Sequence, residues 1–140
     1  MRAAIPIALV AALIAVAPAA ATKSTSATTA GVGDTKSWCK AVIDANTRLG
    51  TMKNKRYLAP GKITPAMWKK VVDEAVANGG KYIALAPSSI KTAVRRQIAY
   101  FKNIKANRYS RTTPLAPMTL ADVKKLTNFQ RTQCGITFAT

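Results

Sequence analysis

The chain has two cysteines, Cys39 and Cys134, and they bracket almost everything in it that carries a folding pattern. A bond between them closes nearly the whole domain into one loop. In the chain-entropy model, cross-linking a loop of this size stabilises by about 4–5 kcal/mol. Two separate buried thiols or a metal site are the competing readings. Two cysteines without any histidine make a poor zinc site, because structural zinc takes four ligands. The expectation is therefore one disulfide, Cys39 to Cys134, in an oxidising compartment.

The N-terminus supports that compartment. Arg2 gives a short positive start, Ala3 to Val16 is apolar, and Ala17-Pro18-Ala19-Ala20-Ala21 offers small residues for cleavage after Ala19 or Ala21. This is the form of a secretory signal. A membrane anchor is the alternative, but the apolar run is shorter than the roughly 20 residues of a spanning helix. Residues 22–35 are mostly Thr, Ser, Ala and Gly and cannot bury enough apolar surface to offset ordering entropy. The expected organisation is a signal peptide over 1–21, a disordered linker over 22–35 and a helical domain over 36–140. The expected location is secreted, or extracellular.

Four helices can be placed in that domain. The first runs from about Lys36 to Leu49, with Asp34 or Thr35 as N-cap and Gly50 as stop. Trp38, Val42, Ala45 and Leu49 recur along it at helical spacing, widened by Cys39 and Ile43. The second starts with Thr64 as N-cap, Pro65 at the first helical position, and Ile63 and Trp68 as a hydrophobic staple. Asn78-Gly79-Gly80 is expected to end it, leaving Lys81 to Ala86 as a helical turn or a buried extended link. Pro87 opens the third and longest, to about Asn107, with Ile90, Val94, Ile98, Phe101 and Ile104 as its stripe. The fourth begins at Thr119, with Asp122 three residues on as a near capping box and Met118 facing Val123. Gly135 suits a left-handed cap after it. No hairpin signal and no alternating strand is read. The fold class expected is all-α: a small four-helix bundle whose one disulfide joins the first helix to the end of the last.

Trp38-Cys39 at the start of the first helix, Ala86-Pro87 before a long third helix, and Cys134-Gly135-Ile136 at the close resemble a group of small secreted bacterial helical-bundle proteins of unknown function. The resemblance implies an exported bundle and no activity. A looser likeness, in architecture alone, is to small secreted haem-binding bundles bracketed by a cysteine pair.

Catalytic groups are scarce. Without histidine there is no common general base and no Ser-His-Asp or Cys-His site. Of the five carboxylates, Asp34 and Asp122 sit at helix starts, Asp44 precedes Arg48 by four residues, and Asp73 and Glu74 follow Lys69 and Lys70 by four. Asp73 and Glu74 point about 100° apart on one helix and cannot easily flank one bond. No serine lies in a nucleophile motif. No catalytic residue, metal ligand or cofactor is assigned, and an enzyme is not the expected reading.

The charge is the other constraint. Of 22 lysines and arginines only Arg2 leaves with the signal, so 21 face 5 acids, a net +16. Such an excess speaks about partners rather than fold. The anion-binding candidates are Lys53, Lys55 and Arg56 in the first loop, Arg95, Arg96 and Lys102 on the third helix with Lys91 near the same stripe, and Lys105, Arg108 and Arg111 at its end. Lys124 and Lys125 add to the fourth helix. Tyr57 and Tyr109 stand beside two of these clusters, where an aromatic ring can stack a base. Each cluster reads equally as a solvated helix face.

Three functions compete. The first is a non-enzymatic secreted basic module binding anionic envelope or extracellular polymers or a membrane surface, without sequence-specific DNA binding. The second is a carrier of an apolar or haem-like ligand, with Tyr57, Tyr82, Tyr100 and Tyr109 or Met52, Met67 and Met118 as available ligands. The third is a chorismate-mutase-like helical enzyme run by positioned cations. Oligomeric state is not legible.

Overall fold

The computed structural model describes residues 33–139. The expected signal segment 1–21 and residues 22–32 of the expected linker lie outside the described residues. The first helix, α1 (Thr35–Arg48), opens at Thr35, one residue ahead of the boundary read from composition. Asp34, extended, caps it by accepting from the Lys36 and Ser37 backbone N–H groups. It closes in a Schellman turn: Thr51 N donates to Asn46 O at 2.9 Å, Gly50 N to Thr47 O at 3.2 Å, and Gly50 is left-handed at φ +81°.

The following loop contains an element that the sequence pattern did not show. β1 (Met52–Lys53) and β2 (Arg56–Tyr57) form an antiparallel hairpin, and β3 (Thr137–Phe138) joins β2 in parallel. Between β1 and β2, Asn54 and Lys55 have φ of 51° and 59°, as a primed hairpin turn requires. Strands of two residues are too short to show alternation, and the turn lacks the glycine that flags such hairpins. Tyr57 of β2 is buried and its ring lies 5.1 Å from that of Phe138.

α2 (Pro65–Leu85) is capped by Thr64, whose side chain accepts from Met67 N. Ile63 and Trp68 are both buried, as a staple demands. The helix does not end at Asn78-Gly79-Gly80 but runs through the pair, and its 21 residues make it the longest among the described residues, ahead of the 19 of the third. Neither glycine has positive φ, so the conformation that makes glycine a stop is absent. Pro87 ends the helix instead. It forces the preceding Ala86 out of helical conformation, to ψ 130°, and the chain turns back at once into α3 (Ser88–Ala106).

α4 (Leu120–Gln133) starts on the full capping box: Asp122 N donates to Thr119 Oγ1 and Thr119 N donates to Asp122. Met118 and Val123 are buried beside it. α2 packs most extensively on α3, and α3 on α4. Trp38, Tyr82, Ile90, Phe101, Leu126 and Ile136 belong to one core drawn from the four described helices and the C-terminal segment. Cys39 and Cys134 are joined, with Cα atoms 5.2 Å apart, so α1 is bonded to the end of α4. The molecule is a small disulfide-linked four-helix bundle with a three-stranded sheet at its edge. No helix among the described residues is long and apolar enough to cross a membrane.

Candidate functional site

All five carboxylates have a partner within the fold. Asp34 accepts from Ser37 Oγ and two backbone N–H groups, and the Ser37 hydrogen bonds hold its pKa below the usual carboxylate value. Asp44 pairs with Lys40, not with Arg48 as spacing alone suggested. Arg48 instead crosses to Glu74 of α2 at 2.7 Å. Asp122 is nearly buried. Burial pushes its carboxyl up, but hydrogen bonds from Thr119 and then Arg96 outweigh that and lower it.

Asp73 meets side-chain donors from three residues. Its Oδ2 accepts from Lys69 Nζ at 2.8 Å; its Oδ1 accepts from Tyr109 OH at 2.6 Å and lies 3.3 Å from Lys105 Nζ. Burial raises its pKa, and the three donors together outweigh burial and depress it. Lys69 Nζ also sits 4.9 Å from the centre of the Tyr109 ring. The segment after α3 is tied down twice more, to α2 and to the residue before its cap: Trp68 Nε1 donates to Tyr109 O and Arg111 Nη2 to Ile63 O, both at 2.9 Å. Segment 108–111 is thus a strap across the N-terminal half of α2.

The nine candidate cations fall in three places. Lys53, Lys55 and Arg56 ride on the hairpin. Lys55 also reaches an open hollow of about 630 Å³ over the disulfide, where Lys36 and Lys40 are joined by Asp34 and Asp44. Arg95, Arg96 and Lys102 are exposed on α3, with Arg96 committed to Asp122. Lys105, Arg108 and Arg111 are brought to one corner together with Lys69. Sequence spacing gave the Lys69–Asp73 pair, but nothing in it indicated that Tyr109 and Lys105 converge on the same carboxylate. Aromatic stacking is not offered at either cluster. Tyr57 is core, and Tyr109 packs against the core with Lys69 over its ring.

Tyr57, Tyr82 and Tyr100 are buried, and burial raises the pKa of each. Met52 and Met118 are buried as well, and Met67 packs against the core. A second open hollow, about 330 Å³, lies between the end of α3 and residues Thr113 to Ala116. Among the described residues no group of three or more Cys, Asp or Glu side chains could hold a metal. Comparison with known proteins gives no match: no family model, no curated protein and no solved structure matches the chain.

Proposed function

We propose that the protein is a non-enzymatic, secreted basic module that binds anionic polymers of the cell envelope or the extracellular space. One observation carries this reading. The carboxylates are all engaged internally, while the twenty lysines and arginines of the described residues are exposed, with Lys91 alone half-buried. Internal pairing cannot neutralise such an excess, and a surface of this sign raises the local concentration of anions. Lysines outnumber arginines, which suits attraction to a polyanion over base-by-base reading. The resemblance to small secreted bacterial bundles agrees with export.

The test is a titration of the purified domain with poly(glycerol phosphate) and with anionic vesicles at several salt concentrations. Binding at low salt should weaken log-linearly as salt rises; at about 0.7 per contact, six phosphate contacts would lose about 300-fold between 50 and 200 mM. No binding to either probe at low salt would overturn the reading. Sequencing the N-terminus of the natively produced protein checks export: a start after Ala19 or Ala21 is expected.

A further inference from the structure

The turn that ends α3 carries an arginine in a glycine's place. Arg108 N donates to Lys105 O at 3.1 Å and Tyr109 N to Ile104 O at 2.8 Å, the two bonds of a Schellman turn. The left-handed position of such a turn favours glycine, because a Cβ is penalised there. α1 obeys this with Gly50, and the chain after α4 is left-handed at Gly135. At the end of α3 the residue is Arg108, φ +54°, and Tyr109 follows at +63°. The positive φ of Asn54 and Lys55 is explained by their hairpin. The pair at 108–109 is held by Asp73, Trp68 and the Arg111–Ile63 bond.

Strain of this kind, over-determined by its surroundings, is found at functional positions. Here it ties the strap that carries Arg108 and Arg111 to a carboxylate that Lys69 of α2 and Lys105 of α3 also reach. Lys69 and Lys105 each spend a donor on Asp73 and Arg111 spends one on Ile63 O, and all three side chains remain exposed with donors left over. Donors arriving from several directions suit a tetrahedral oxyanion, and pre-ordered side chains lose less entropy on binding. With the Tyr109 ring occupied, the corner reads backbone and not bases. We propose that the corner formed by Lys69, Lys105, Arg108 and Arg111 is the protein's principal contact with a phosphodiester chain, and that Arg108 occupies a glycine position for the sake of its guanidinium. This rests on the polyanion reading above.

Three variants test it with poly(glycerol phosphate), with polyglutamate of matched charge as the comparison. Arg108→Gly should raise the thermal midpoint, yet weaken poly(glycerol phosphate) binding by about threefold or more and reduce the log–log salt slope by about 0.7, the value for one lost contact to a single strand. Arg108→Gln, which keeps the backbone demand, should lose the same affinity without the gain in midpoint. Lys124→Gln, an equal charge change on α4, should move affinity little. The corner is overturned if Arg108→Gly binds as the unsubstituted protein does, if Lys124→Gln loses as much, or if polyglutamate binds as tightly as the phosphate polymer. A lower midpoint for Arg108→Gly overturns the strain argument. If the unsubstituted protein binds neither polymer nor vesicles at low salt, the proposed function itself falls, a distinct result.

Discussion

Tyr109 donates its hydroxyl to Asp73 at 2.6 Å, joining the strap after α3 to the middle of α2 across 36 residues of sequence. The contact has a neutral donor and an ionised acceptor, the stronger class of hydrogen bond. It also places Asp73 where Lys69 and Lys105 both reach it. One carboxylate thus orders two lysines and a tyrosine, and through the tyrosine the left-handed Arg108.

Replacing Tyr109 by Phe removes this bond and leaves the ring. Asp73 is partly open to solvent, so water recovers some of the loss. The expected cost is about 1 kcal/mol in urea unfolding, at the low end for a bond to a charged group. The Asp73 carboxyl should titrate higher than in the unsubstituted protein, because one of the donors holding it down is gone. An NMR titration that finds Asp73 unmoved would contradict the arrangement.

Gly79 and Gly80 should respond to alanine with opposite signs. A Cβ on Gly79 would lie 2.4 Å from Cγ2 of Ile98, a buried β-branched side chain of α3 with little freedom to retreat. A Cβ on Gly80 would meet nothing within 4 Å. Gly80→Ala should therefore stabilise by about 0.5–1 kcal/mol through helix propensity and a less flexible unfolded chain. Gly79→Ala gains the same propensity but forces α2 from α3, at about 1–3 kcal/mol. Equal shifts in thermal midpoint for the two variants would be the wrong result.

The same two glycines show how far the sequence could be read. Apolar spacing located the four described helices; the caps Thr64 and Thr119 placed two starts, Pro87 a third, and the first was open between Asp34 and Thr35. The stop at Gly79-Gly80 was misplaced because glycine has two uses, a left-handed turn and a close approach, and composition does not separate them. Pro87 has one meaning for the residue before it, and it proved the true boundary. The sheet escaped notice because each strand has two residues and β3 comes from the far end of the chain. In the cationic corner, Lys69–Asp73 was visible as a local pair. Tyr109 reaches Asp73 only because α2 and α3 fold back on each other, which no local pattern records.

Reducing the disulfide should leave the protein barely folded. Cys39 and Cys134 are 95 residues apart, and opening a loop of that length costs about 4–5 kcal/mol in the chain-entropy model. Small domains hold roughly 5–15 kcal/mol in all. Positive self-repulsion adds to the loss, so the reduced protein should gain more thermal stability from added salt than the oxidised protein does. Paired melts with and without reductant, at low and moderate salt, measure both effects. An unchanged midpoint on reduction would contradict the staple's role.

Alkaline unfolding should begin near pH 10 and be driven by tyrosines. Burial raises the pKa of Tyr57, Tyr82 and Tyr100 in the folded protein, while in the unfolded chain each titrates near 10. The Tyr82 hydroxyl is buried without a hydrogen-bond partner among the described residues, so its phenolate would gain no hydrogen bond; burial and the Glu74 charge oppose it, and Arg48 offsets them only in part. A folded pKa above the unfolded one gives stability that is complete below the unfolded value and is lost as pH rises beyond it. The loss approaches about 1.4 kcal/mol per pH unit for each such group. The phenolate absorbance is the direct readout. It should stay low from the three buried rings while the fold holds, and then rise sharply with loss of helical circular dichroism. A smooth rise near pH 10 from Tyr57, Tyr82 and Tyr100 with the helices intact would mean that the three rings are not sealed in the core.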